Sequence, residues 1–171
     1  MLNAGAVGHL MVDDPSEIEI EVFAGPSSTG PVFEKVHARK IEEHIYELLS
    51  SPGLTLNMAS GDVISIKNKA APAEILKRGG NFCIHIYADF IPEEYIVALA
   101  KEVREEIGGI LDGRNNWDLC LTIPSKVGMQ KINEFFDKFT GLTGVQWYYA
   151  NVYKNLDDPE DETLLYWWLN S

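Results

Sequence analysis

Between Asn81 and Tyr153 the hydrophobic pattern changes period in a fixed order, and few folds accommodate that order. Phe82-Cys83-Ile84-His85-Ile86-Tyr87 alternates, which puts Phe82, Ile84 and Ile86 on one face of a strand. Pro92 then opens a helix, since its missing N–H has no partner in a first turn, and Glu93 and Glu94 follow where the helix dipole favours anions. Ile96, Leu99, Val103 and Ile107 recur at helical spacing until Gly108-Gly109. Ile110-Leu111-Asp112, a turn over Gly113 to Asn116 and a strand from Trp117 to Ile123 form a hairpin with Trp117, Leu119, Leu121 and Ile123 on one face. Ser125 is expected to cap a helix over Lys126 to Thr140, with Met129, Ile132, Phe136 and Phe139 on one side, and Gly141 to Gly144 stop it before a strand from Val145 to Tyr153. Strand, helix, strand, strand, helix, strand predicts a ferredoxin-like βαββαβ domain over residues 81–156, with both helices on one face of the sheet.

Before this lies a different pattern. Ile18, Ile20 and Val22 alternate with Glu17, Glu19 and Glu21, then the Gly25-Pro26-Ser27-Ser28 cluster marks a turn. Strand-like runs recur at Val32 to Arg39, His44 to Leu49, Asp62 to Ile66 and Glu74 to Leu76, with turns at Ser51-Pro52-Gly53 and Ser60-Gly61. The chain is expected to be α+β: a small antiparallel β-sheet or partial barrel over residues 17–80, joined at Gly79-Gly80 to the ferredoxin-like half. Residues 1–16 are expected to be loosely ordered, and residues 157–171 form an acidic, aromatic tail.

Charge restricts the partners. The 171 residues carry 14 basic and 26 acidic side chains, a formal charge of -12, and the imbalance is uneven: residues 1–80 hold 7 basic and 11 acidic, residues 81–171 hold 7 and 15. Such a field repels nucleic acid and anionic lipid and attracts cations. No run approaches the roughly 18 apolar residues of a membrane helix, and the N-terminus has no basic n-region before its apolar residues. Two cysteines are too few for a disulfide scaffold, and the expected location is cytoplasmic.

Catalytic signatures are lacking. Neither phosphate-loop pattern occurs, and His9, His37 and His44 offer no pairing with a nucleophile from their spacing. The expectation is therefore a non-enzyme without a cofactor. One constellation competes with it: the alternation that sends Phe82 to the helices sends Cys83, His85 and Tyr87 the other way, and Asp118, Cys120 and Thr122 join them from the neighbouring strand. Cys83, His85, Asp118 and Cys120 are a zinc-like ligand set, but no C-x-x-C pair is present, and a face covered by the N-terminal sheet or a partner is preferred. As an RNA platform the face has only Tyr87 for stacking.

Two acidic groups remain. Glu102, Glu105 and Glu106 interleave with Lys101 and Arg104 on a helix face. Asp157, Asp158, Glu160, Asp161 and Glu162 precede Trp167 and Trp168; the tail either closes the core while its acids stay in water, or presents aromatic anchors rimmed by charge to a partner.

The segments Ile45 to Leu48, Ser51-Pro52, Met58-Ala59-Ser60-Gly61-Asp62-Val63-Ile64 and Leu76-Lys77-Arg78-Gly79-Gly80-Asn81 resemble an uncharacterised bacterial family that joins a small β-barrel to a ferredoxin-like half. This resemblance implies a fold and no activity. A second likeness, in size, acidity and architecture, is to bacterial toxin-immunity proteins. It implies a protein partner: a basic toxin domain, most concretely a nuclease whose cationic groove the acidic residues and Trp167 and Trp168 cover. The alternative is an enzyme, or a metal or small-ligand sensor, using the open sheet face.

Overall fold

Alternation of exposed Glu17, Glu19 and Glu21 with inward Ile18, Ile20 and Val22 builds β1 (Glu17–Ser27), which pairs antiparallel with β2 (Gly30–Glu42). In this computed structural model, which describes residues 14–170, β3 (Ile45–Leu48), β4 (Val63–Ser65) and β5 (Glu74–Lys77) continue the sheet. Each strand bonds to the next in chain order, β1-β2-β3-β4-β5, so the sheet is antiparallel and open, as expected, and β1 and β5 do not pair to close it among the described residues. Register breaks at Phe23/Gly25, Lys40/Glu42 and Val63/Ile64 bend it around a core of Ile20, Val22, Val36, Ala38, Leu48 and Ile64. His44 belongs to no strand: with Glu43 it forms the β2–β3 turn, at a left-handed φ of 63°. The expected loose N-terminus falls largely on residues 1–13, outside the described residues; within 14–16, the Asp14 carboxylate accepts from both the N–H and the hydroxyl of Ser16.

The second sheet contains β6 (Asn81–Tyr87), β7 (Ile110–Arg114), β8 (Asp118–Pro124) and β9 (Trp147–Tyr149), in the order β7-β8-β6-β9 with every neighbour antiparallel. Helix α1 (Glu93–Ile107) connects β6 to β7, and α2 (Met129–Thr143) connects β8 to β9. Both helices cover the face that carries Phe82, Ile84, Ile86, Leu119, Leu121 and Ile123, with the predicted stripe Ile96, Leu99, Val103 and Ile107 buried on α1. The protein is thus α+β, with two antiparallel sheets and two helices, and no helix among the described residues is long and apolar enough to cross a membrane.

Boundaries depart from the sequence reading where side chains compete for backbone bonds. Asn115 Oδ1 accepts from the N–H groups of Trp117 and Asp118, so Trp117 turns with the loop and is exposed instead of opening β8. Ser125 does not cap α2; it begins a 3-10 turn (Ser125–Val127) and its carbonyl accepts from Gly128, the residue that precedes the helix. Phe135 joins the predicted apolar side of α2.

The tail docks on the second core. Trp167 and Trp168 place their rings 5.2 and 5.4 Å from Phe82, and Trp167 donates its indole N–H to the Asn151 carbonyl at 2.8 Å. The Arg78 guanidinium lies over the Trp167 ring, 5.4 Å from its centroid. These indoles are half-buried and engaged within the fold. Trp167→Ala is expected to cost about 3 kcal/mol in urea unfolding, whereas an anchor held out for a partner would leave the free protein's stability unchanged.

Candidate functional site

Strand alternation gathers a polar cluster on the helix-free face of β6 and β8. His85 pairs with Cys120 in the strand register and Cys83 lies diagonally, which brings the two sulfurs to 3.9 Å. All three side chains are buried, and their ligand atoms lie within 4.8 Å of one another. The Ser51-Pro52-Gly53 turn of the first half closes over them. The Pro52 carbonyl oxygen is 2.7 Å from His85 Nε2, 3.2 Å from Cys120 Sγ and 3.6 Å from Cys83 Sγ, and the Ser51 carbonyl is 3.2 Å from Cys120 Sγ. A carbonyl only accepts, so Nε2 carries the imidazole proton, leaving Nδ1 to accept from the Tyr148 hydroxyl at 3.3 Å.

That turn is held from both sides. Glu34 accepts from the N–H groups of Gly53, Leu54 and Thr55 and from the Thr55 hydroxyl. Ser51 and Thr122 share a hydroxyl bond of 2.6 Å, and Thr122 donates in turn to Asp112. Burial raises the Asp112 pKa against the bonds from Thr122 and Ser51. Tyr87 donates to the Gly53 carbonyl at 2.5 Å and shares ring contacts with His85 and Tyr148.

The protonation state follows from these contacts. The bond to Cys83, with burial behind it, pushes the Cys120 thiol far above its usual range. For His85, burial lowers the pKa while Cys120 and the Pro52 carbonyl raise it, with the balance upward. Held as a thiol under a lid, Cys120 is a poor nucleophile. Asp118, the fourth member of the zinc-like set, is not in the cluster: it pairs with Tyr87 at the sheet's end and accepts from the Asn115 amide at 2.8 Å.

The acidic candidates separate into distinct surfaces. Asp158, Asp161 and Glu162 rim a cleft of about 360 Å³ whose walls include Leu56, Tyr148 and Tyr153. Asp161 also accepts from Thr163 and Asn155, which holds its carboxylate below the usual range. Asp157 lines a neighbouring cavity with Phe23 and Met58, Glu160 is exposed, and Glu102, Glu105 and Glu106 stand exposed on α1 without lining either.

Sequence reasoning missed the residues that fix the end of the first half, where the chain passes into β6. Asp62 is fully buried; it accepts from the N–H groups of Gly79 and Ala59 and pairs with Arg78 at 3.4 Å. Arg78 also donates to the Asn57 carbonyl and side chain, and Asn81 donates to the Ser60 carbonyl. The two glycine-bearing turns that carried the resemblance are therefore halves of one contact. Charge next to glycine was their visible signal; Pro52 and Glu34 had none, because a carbonyl and a long-range loop clamp leave no mark in periodicity.

Two antiparallel sheets pinned along a seam, with a thiol–imidazole cluster inside it, define an α+β class of protein without assigning it a chemistry. The chain belongs to the family described as Domain of unknown function (DUF4265), which matches residues 34–147 and so takes in Glu34, the Asp62 junction and the cluster, but ends before the acidic tail. A crystal structure of a hypothetical protein from Neisseria gonorrhoeae is similar in fold: TM-score 0.58 at 16% identity, covering 78% of this chain and 94% of that one. No curated protein matches.

Proposed function

We propose that this protein is an acidic binding protein that neutralises a basic partner, most concretely a cytoplasmic immunity protein blocking a bacterial toxin nuclease. The observation that carries this reading is the cleft rimmed by Asp158, Asp161 and Glu162 over a wall of Tyr148, Tyr153 and Leu56. A lysine or arginine has an apolar stem and a charged end, and this cleft supplies a surface for each. The excess of acids in residues 81–171 adds a field that speeds encounter with a cationic surface and disfavours nucleic acid. We read residues 81–156 as ferredoxin-like, supported by the strand order and by both helices lying on one face.

The test is to co-express the protein with the basic domain encoded by the adjacent gene and measure complex formation and nuclease activity. A 1:1 complex that abolishes activity and weakens with salt is the expected result, and Asp158→Lys with Glu162→Lys is expected to weaken it about 100-fold or more. An adjacent gene for a metabolic enzyme with no toxin-like neighbour would sink the proposal, as would a complex indifferent to salt and to charge reversal.

A further inference from the structure

We propose that Cys83, His85 and Cys120, with the Pro52 carbonyl as fourth donor, form a binding site for a thiophilic d10 cation, Zn²⁺. The donors lie outside the acidic cleft, which shares Tyr148 with the outer contacts of the site, and neither reading depends on the other. Three polar side-chain atoms surround one oxygen: His85 Nε2, Cys120 Sγ and Cys83 Sγ lie 2.7, 3.2 and 3.6 Å from the Pro52 carbonyl, and the Cys120 thiol has the Ser51 carbonyl as a second acceptor at 3.2 Å. The Pro52 oxygen and the three side-chain donors thus face one another across one buried space, where a single cation would satisfy all four heavy atoms together. The sulfur separation of 3.9 Å agrees with two thiolates sharing one metal, since Zn–S bonds of about 2.3 Å at a tetrahedral angle span roughly 3.8 Å. The three side-chain donors sit on two bonded strands whose register sets their spacing, which is why no C-x-x-C pair was needed in the sequence.

Outer contacts complete the set. A metal on Nε2 requires the imidazole proton to move to Nδ1, and the Tyr148 oxygen, 3.3 Å away, is placed to accept it. Binding then balances: two thiol protons leave to solvent, the imidazole keeps its one proton on the other nitrogen, and a divalent cation with two thiolates is neutral in a buried site. A cleft of about 430 Å³, lined by acidic Glu34, Asp112 and Asp118 and by basic Lys35 and Arg114, reaches Cys120.

The full chain, freed of metal by a chelator and kept under a phosphine reductant, should be titrated with Zn²⁺ and separately with Co²⁺. We expect one equivalent of Zn²⁺ with a Kd below roughly 0.1 µM near neutral pH, with two protons released per metal in weakly buffered solution. Co²⁺ should give sulfur-to-metal charge-transfer absorption of two-thiolate intensity together with intense tetrahedral d–d bands. This readout uses the unsubstituted protein, so it stands even where Cys120→Ser does not fold. Tyr148→Phe, on a partly exposed ring, is expected to keep the Co²⁺ spectrum and weaken Zn²⁺ about 10-fold. Absence of stoichiometric binding, Co²⁺ spectra without a thiolate band, or binding that survives Cys83→Ser with Cys120→Ser would overturn the site.

Discussion

Asp62→Ala is expected to destabilise the protein by about 3–5 kcal/mol, the range seen when one partner of a buried ion pair is removed. The carboxylate is completely buried, and its oxygens accept from the N–H groups of Gly79 and Ala59 while facing Arg78. Burial pushes the Asp62 pKa up while the N–H bonds of Gly79 and Ala59 and the Arg78 charge pull it down, and the guanidinium itself stays charged. Alanine leaves two N–H groups without acceptors and a guanidinium with only the Asn57 oxygens and the Trp167 ring. For a chain of this size the loss corresponds to a fall in Tm of the order of 10 °C. Asn is expected to recover little, since its amide nitrogen must face N–H donors. Because β4 begins right after Asp62 and β6 begins soon after Gly79, fluorescence from Trp167 on the second core should report the loss in the same transition as circular dichroism of the sheets. Separate transitions, with the second half unaffected, would show that the pin is not shared.

Gly79→Ala should be of similar size, about 3–5 kcal/mol, because over-packing against rigid backbone adds to a lost charge-assisted bond. A Cβ at Gly79 would run into the Cα, carbonyl carbon and carbonyl oxygen of Gly61, all main chain, so no side-chain rotation relieves it. Gly61 itself sits at a φ of +90°, a conformation in which only glycine is unstrained. The two turns therefore lie backbone against backbone, and the Asp62 bond to the Gly79 N–H exists because they do. Having a shared contact, Gly79→Ala and Asp62→Ala should not add: the double variant is expected to lose clearly less than the sum, by at least about 1 kcal/mol in denaturant unfolding. Additive losses would mean that Asp62 acts through Arg78 and Ala59 alone.

Much of the fold was legible because it is local. The Phe82 to Tyr87 alternation, the Ile96-Leu99-Val103-Ile107 stripe and the glycine after it each state an element in a few adjacent residues, and each lies where the pattern put it. Trp117 and Ser125 were misplaced because Asn115 and Gly128 decide those boundaries through bonds that periodicity does not record. On the candidate site, alternation alone put Cys83, His85 and Cys120 on one face; it also put Asp118 there, correctly for the face and wrongly for the cluster, since facing the same side says nothing about distance along the strand.

What the sequence determined by itself, then, was the order of strands and helices, the side of β6 that carries sulfur and imidazole, and the acidity of residues 81–171. Tertiary structure decided what those features meet. It set Pro52 over the cluster, joined the Gly61 and Gly79 turns through Asp62, and turned the paired tryptophans inward onto Phe82. The reason is range: periodicity and caps arise from neighbours a few residues apart, whereas these contacts join residues 17 to 85 positions apart and form only when distant parts of the chain have folded onto one another.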